Sequence, residues 1–210
     1  MKKLLSTLAL VGLTTTAFAQ QADNFYVGAE LGYTKVSDST KATATSLVSA
    51  VGGAATVTQN TGLGIGRLFG GYKFNENFAA EVGYNQTGDV TQNIAGVAGN
   101  SVAYTGSTKV SVSGVDYSLI ARPSISSGLN GFFVRAGGHY MTEKADITLT
   151  GTSTASISKS LSGSGLLFGV GYDTSITKNI DFRASYTYLN KIGGTSDYAN
   201  VFSVGVLTKF

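Results

Sequence analysis

The sequence contains no cysteine, a single proline at Pro123 and a single histidine at His139. Without cysteine no disulfide can form, so the chain must be held together by other means. A lone histidine makes no metal site without cysteines or well-placed carboxylates. The nearest acids to His139, Glu143 and Asp146, stand at no recognised ligand spacing. No serine or acid motif accompanies it either, so a polar lining residue is expected there rather than a general base. We therefore expect no enzyme, no cofactor, and no catalytic or metal-binding residue. Net charge is also scarce. The 15 basic residues include Lys2 and Lys3, which leaves 13 against 12 acidic residues after the N-terminal segment. So even a balance gives no warrant for a nucleic-acid partner. The stretch Gly62-Leu63-Gly64-Ile65-Gly66-Arg67 misses the G-x-G-x-x-G spacing and opens no helix, so it reads as a glycine-rich strand.

Long apolar runs are lacking too. The one near the N-terminus, residues 4–13, is too short to span a bilayer, which takes about 20 residues. Lys2 and Lys3 precede it, and Ala17-Phe18-Ala19 comes after it with the small-x-small pattern of a cleavage site. Residues 1–19 are thus expected to be an export signal, and residues 20–210 a single domain.

The domain does have alternation. Glycine and tyrosine are abundant, and eight segments of period two are separated by polar stretches. They cover residues 24–35, 62–74, 77–85, about 111–122, 131–141, about 163–173, 179–190 and 197–210. In the first, Phe25, Val27, Ala29, Leu31 and Tyr33 alternate with Tyr26, Gly28, Glu30, Gly32 and Thr34. In the seventh, Ile180, Phe182, Ala184, Tyr186 and Tyr188 alternate with Asp181, Arg183, Ser185 and Thr187. One face is apolar with aromatics near its ends. The other is mainly glycine, serine and isolated charges.

A water-soluble barrel would turn the apolar face inward, whereas a membrane barrel turns it toward lipid. Glycine favours the second. In a narrow lumen it makes room for long charged side chains, while an exposed glycine face would only weaken the strands. Connection lengths alternate as well. Links 75–77, 124–130 and 174–178 are short, while 36–61, 86–110 and 142–162 are long, and 191–196 is intermediate. Short periplasmic turns and long outer loops are the pattern of outer-membrane barrels. The sheet must close, because an open edge in hydrocarbon would strand backbone donors and acceptors. The expected fold is an all-β, eight-stranded, antiparallel up-and-down transmembrane barrel in the bacterial outer membrane, in contact with its lipids and lipopolysaccharide. Runs of β-formers such as Ile147-Thr148-Leu149-Thr150 extend the hairpins beyond the membrane or form solvated loops; both readings stay open.

Glu30, Arg67, Glu81, Asp116, Arg122, Arg135 and Arg183 all share the parity assigned to the lumen. The opposite orientation would cost about 2–4 kcal/mol for each arginine at mid-depth in lipid. Inside, opposite charges are expected to meet, since an unpaired buried charge is strongly destabilising. Arg135 is expected at a height comparable to Glu81 and Arg183. The network is either a polar plug that sets strand register or a gate. Eight strands leave room only for side chains, which favours the plug.

Several stretches resemble the transmembrane domain of outer membrane protein A and related small outer-membrane barrels. They are Phe25-Tyr26-Val27-Gly28-Ala29-Glu30-Leu31-Gly32-Tyr33, Phe69-Gly70-Gly71-Tyr72-Lys73-Phe74-Asn75, Glu81-Val82-Gly83-Tyr84, Arg135-Ala136-Gly137-Gly138 and Arg183-Ala184-Ser185-Tyr186. The closing Val204-Gly205-Val206-Leu207-Thr208-Lys209-Phe210 resembles the signal read by the outer-membrane assembly machinery, with Phe210 as its terminal aromatic. The resemblance implies a charged pair between Glu81 and Arg183. A second family pair falls near Gly171 and Ile120 and is expected to be missing. The chain stops at Phe210, so a cell-wall anchoring role is not carried over. Three roles stand open to test: a structural or surface-interaction protein acting through its outer loops on a surface or host ligand, a narrow or gated pore for ions and small solutes, and an enzyme around His139.

Overall fold

A computed structural model describes residues 24–36, 54–58, 62–97, 103–123, 130–150, 154–194 and 198–210. The expected export signal, residues 1–19, lies outside them. Ten strands are present among the described residues: β1 (Phe25–Val36), β2 (Ala54–Thr58), β3 (Gly62–Lys73), β4 (Phe78–Thr87), β5 (Val90–Val97), β6 (Ala103–Ala121), β7 (Phe132–Thr150), β8 (Thr154–Ser175), β9 (Ile180–Asn190) and β10 (Tyr198–Lys209). A 3-10 turn, Ile192–Gly194, sits between the last two. Eight of the strands form a closed antiparallel barrel in up-and-down order, β1-β3-β4-β6-β7-β8-β9-β10, sealed by β1 against β10.

The greasy stripes point outward. Phe25, Leu31, Val82, Tyr117, Leu119, Phe168 and Phe202 are exposed. Across β1, β10 and β9 the register aligns Leu31, Val204 and Ala184 as one outward row, with Tyr33, Phe202 and Tyr186 as the next. Phe25 packs at a tilt against Tyr72, and Tyr186 against Phe202, at the two borders of that band.

Short turns are built by their own side chains. Asn75 Oδ1 accepts hydrogen bonds from the backbone N–H groups of Asn77 and Phe78, and Thr177 Oγ1 does the same for Asn179 and Ile180. Such local bonds let a chain reverse tightly without a partner strand. These turns lie at one end of the barrel.

At the other end the strands are unequal, which revises the expected boundaries. β6, β7 and β8 run well past residues 111, 141 and 163, and β2 and β5 form within the long connections, so of the two readings left open for those connections the described residues take the one in which the hairpins are extended. Above Val110, β6 exchanges its neighbour β4 for β5, and β2 pairs with β5, so a five-stranded sheet β2-β5-β6-β7-β8 rises from one side of the barrel. From Thr142 to Thr150 it extends roughly 27 Å along β7. Its outward face changes character within two adjacent rows, on β8 one row lower than on β6 and β7. Below stand Val115 on β6, Tyr140 on β7 and Leu166 on β8; above stand Ser111, Lys109, Thr142, Lys144, Asp146, Ser162, Ser160 and Ser158. The inward face changes the other way in its lower rows, to the buried Val110, Val112 and Met141, while further up it carries Glu143 and Lys159 beside Leu161 and Ile157, both exposed.

Candidate functional site

Alternation sends the even residues of β1 and β6 and the odd residues of β3, β4, β7, β8 and β9 into the lumen, where they stack in three layers. Nearest the short turns lies an apolar layer of Tyr26, Phe69, Ala79, Ile120, Phe133 and Leu207. Nearest the long connections lies a second apolar layer of Ile65, Val112, Met141, Leu167, Leu189, Ile192, Ala199 and Val201. The 3-10 turn supplies Ile192 to this lid. The face expected to hold mainly glycine, serine and charge therefore also carries two greasy plugs.

The charges lie between these plugs. Glu30, Arg67, Glu81, Asp116, Arg135 and Arg183 are all buried, and Arg122 is partly exposed at the lower rim, its side chain 19% accessible. Arg67 is the hub. Its Nε and Nη2 donate to the two Asp116 oxygens at 2.9 and 2.7 Å, and Nη1 donates to Glu30 at 3.0 Å and to Glu81 at 3.1 Å. Arg183 donates from Nη1 to Glu81 at 2.6 Å, and from Nε and Nη2 to Asp173 at 2.7 and 3.0 Å. It is also sandwiched between the Phe69 and Phe133 rings, at 5.0 and 4.6 Å from their centroids. Glu81 further accepts from the Tyr26 hydroxyl, Glu30 from Ser185, and Asp116 from the Asn85 amide. Paired and hydrogen-bonded in this way, these ions, Arg135 apart, satisfy the condition under which buried charge is tolerated.

Glycine makes the space. A Cβ at Gly83 would fall 2.7 Å from Arg67 Nε and 2.8 Å from Asp116 Oδ2, and one at Gly169 would fall 2.9 Å from Arg135 Nε.

Two placements depart from the sequence reading, and one further pair is not anticipated by it. Arg135 meets no carboxylate among the described residues. Its Nη2 donates to the Thr187 hydroxyl, and its Nε and Nη1 have no hydrogen-bond partner. Next, the absence of charge at Gly171 and Ile120 does not leave Arg183 with one partner. Asp173, two residues further along β8 and of the same parity, binds both Arg183 and Arg122. Its place at the very end of its segment hides it from a reading by alternation. Finally, Lys209 pairs with Asp181 at the lower rim, 2.7 Å apart. Between the hub and the upper plug is a cavity of about 20 Å³, lined by Glu30, Arg67, Asp116, Arg135 and Thr187 among others. That is room for a water or two, not for a continuous path.

His139 is buried, with Nε2 2.7 Å from the Asn190 carbonyl oxygen. Among the described residues, no group of three or more His, Asp or Glu side chains is arranged to hold a metal. Phe210 closes β10 onto β1, its backbone N–H donating to the Phe25 carbonyl.

The profile of the OmpA-like transmembrane domain matches residues 20–210. No curated protein matches the sequence. Among solved structures, the attachment invasion locus protein Ail of Yersinia pestis, in complex with the heparin analogue sucrose octasulfate, is 16% identical. The alignment covers 89% of this chain and 99% of that one, with a TM-score of 0.47. Neisserial surface protein A is 20% identical over 89% of this chain and 97% of its own, with a TM-score of 0.42. The outer membrane protein OprG of Pseudomonas aeruginosa is 13% identical over 89% and 96%, with a TM-score of 0.48.

Proposed function

The chain belongs to the OmpA-like transmembrane domain family and is a bacterial outer-membrane barrel, and on that premise we propose that it works as a surface-interaction protein through the sheet it carries outside the membrane. The observation that carries this reading is the change of the outward face within two adjacent rows. Above Val115, Tyr140 and Leu166 the same strands replace apolar residues with Ser111, Lys109, Thr142, Lys144, Ser160 and Ser158. A wall of β-sheet that is hydrophilic outside and built from the longest strands of the molecule is more than a membrane anchor needs. The barrel beneath serves as the mount, with lipid and lipopolysaccharide against its apolar band. Phe210 serves as the signal for the assembly machinery. This reading includes no catalytic step.

Replacing residues 37–61, 88–110 and 143–161 by short turns tests it. The trimmed barrel is expected to insert and to keep the different migration of boiled and unboiled samples, and bacteria displaying it are expected to lose adhesion to host-cell monolayers. Adhesion equal to that of the full chain refutes the reading.

A gated pore is the second reading. Its support is the buried charge cluster, in which Arg135 is free to take another partner. Planar-bilayer recording decides it. Silence at all voltages, in the wild type and in Glu81→Ala, ends it.

A further inference from the structure

Below the lower apolar layer the barrel opens as a bowl of about 450 Å³. That volume is in the range of small-molecule sites. Tyr26 and Leu207 of the apolar layer line it, together with Lys73, Arg122, Asp173 and Asp181. Asn77 and Ser175 in its wall place it at the end of the short turns, which faces the periplasm. The apolar layer stands between it and the Arg67 hub. The bowl is therefore a recess with a greasy floor and a charged wall.

The aspartates of the wall are already committed. Asp173 accepts from Arg122 at 3.0 Å and from Arg183 at 2.7 and 3.0 Å. Asp181 accepts from Lys209 and from the Ser175 hydroxyl, each at 2.7 Å. Glu76 reaches the rim from an exposed position in the first short turn. Lys73 is left without a carboxylate. It is partly buried, its amine lies 5.8 Å from the centre of the Tyr26 ring, and it makes no ion pair among the described residues. The cations Lys209 and Arg122 weigh on it more than Asp181 and Asp173 do. Arg122 Nη1 also has no hydrogen-bond partner. A partly desolvated amine among like charges is short of one counter-ion. A single carboxylate supplies it. A doubly charged phosphate would bring a second negative charge against Asp173 and Asp181.

We infer that the periplasmic bowl is a binding site for a small organic monocarboxylate. The carboxylate pairs with the Lys73 amine beside Arg122, and the apolar body lies on Tyr26 and Leu207. Charge fixes the orientation and the apolar floor adds contact area, the usual division of labour in a ligand pocket. The site lies at the opposite end of the molecule from the outer sheet and does not depend on the surface-interaction reading.

The test uses the full chain in lipid nanodiscs, which leave both ends open, and titrates it with benzoate, benzyl alcohol and benzylamine while amide resonances are followed. Benzoate is expected to bind in the millimolar range, to shift the resonances of Lys73 and Arg122, and to weaken as salt is raised. Benzyl alcohol, of similar shape but neutral, is expected to bind about tenfold more weakly. Lys73→Gln is expected to weaken benzoate by about the same factor. Lys73→Glu is expected to prefer benzylamine while boiled and unboiled samples still migrate differently, which reports a folded barrel with inverted preference. No benzoate binding at tens of millimolar overturns the inference, as do benzyl alcohol binding as tightly as benzoate and an unchanged benzoate affinity in Lys73→Gln. Should that variant fail to fold, the wild-type chain decides: shifts that bypass Lys73 and Arg122, or binding indifferent to salt, overturn the inference as well.

Discussion

Two arginines in the same lumen, Arg67 and Arg135, are predicted to respond oppositely to the same substitution. Both are buried to a similar degree, with 6% and 4% of their surface accessible. Arg67 makes four charge-assisted hydrogen bonds to Glu30, Glu81 and Asp116. Without it, Asp116 keeps the Asn85 amide and Glu30 keeps serine hydroxyls, but neither keeps a cation. Removing one partner of a buried pair costs about 3–5 kcal/mol, so Arg67→Met should cost at least about 4 kcal/mol. Arg135 holds only the Thr187 hydroxyl, with Nε and Nη1 unsatisfied. Methionine there removes a desolvated charge that touches no carboxylate, so Arg135→Met should fall within about 1 kcal/mol of wild type or be more stable. The chain has no tryptophan. Urea unfolding in lipid vesicles is therefore best tracked by the folded and unfolded bands on unboiled gels. In Arg67→Met combined with Asp116→Asn, about 1–3 kcal/mol of the loss should return as coupling. If Arg67→Met costs no more than Arg135→Met, the hub has been misidentified and the reasoning fails.

Three other outcomes are expected. Gly83→Ala should destabilise by about 1–3 kcal/mol, because its methyl would intrude on the Arg67–Asp116 pair, whereas Gly64→Ala, whose methyl would meet nothing within 4 Å, should lie within about 0.5 kcal/mol of wild type by the same gel assay. Leu119→Arg, on a residue 64% exposed to lipid, should cost about 2–4 kcal/mol, while Ser160→Arg on the outward face of the sheet should cost about 0.5 kcal/mol or less; equal penalties would move the membrane boundary. Conductance in planar bilayers should stay at background in Phe133→Ala or Met141→Ala alone and rise only when both layers are thinned together, so a large single-variant current would show that one plug is not a seal.

The strand cores are legible in the sequence because lipid and lumen impose opposite chemistry on alternate residues. Parity alone places Phe25, Leu31 and Tyr186 on one side and Glu81 and Arg183 on the other. Partners are not legible. Arg135 and Arg183 share a face by parity, yet which of them meets a carboxylate depends on height. Height comes from register, which pairs Arg183 with Asp173 and Arg135 with Gly169. The two apolar layers escape for the same reason. Tyr26, Phe69 and Phe133 each fall on the inner face by parity, but only their common level makes them a plug.

The upper sheet is hidden by a reversal of the rule that reveals the barrel. In β6 the odd positions Val115, Tyr117 and Leu119 face lipid, while the odd positions Ser107, Lys109, Ser111 and Ser113 of the same unbroken strand face water. Apolar residues move to the even positions Val110 and Val112, which are buried. A search for apolar outward parity stops at that crossing and cannot tell the rest of the strand from loop. The backbone does not change there; the solvent does. A sequence in which apolar parity flips along one alternating run, as between Ser113 and Val115, therefore marks the membrane surface on the strand itself, and beyond that mark the pattern expected is that of a water-soluble sheet with its apolar side turned in.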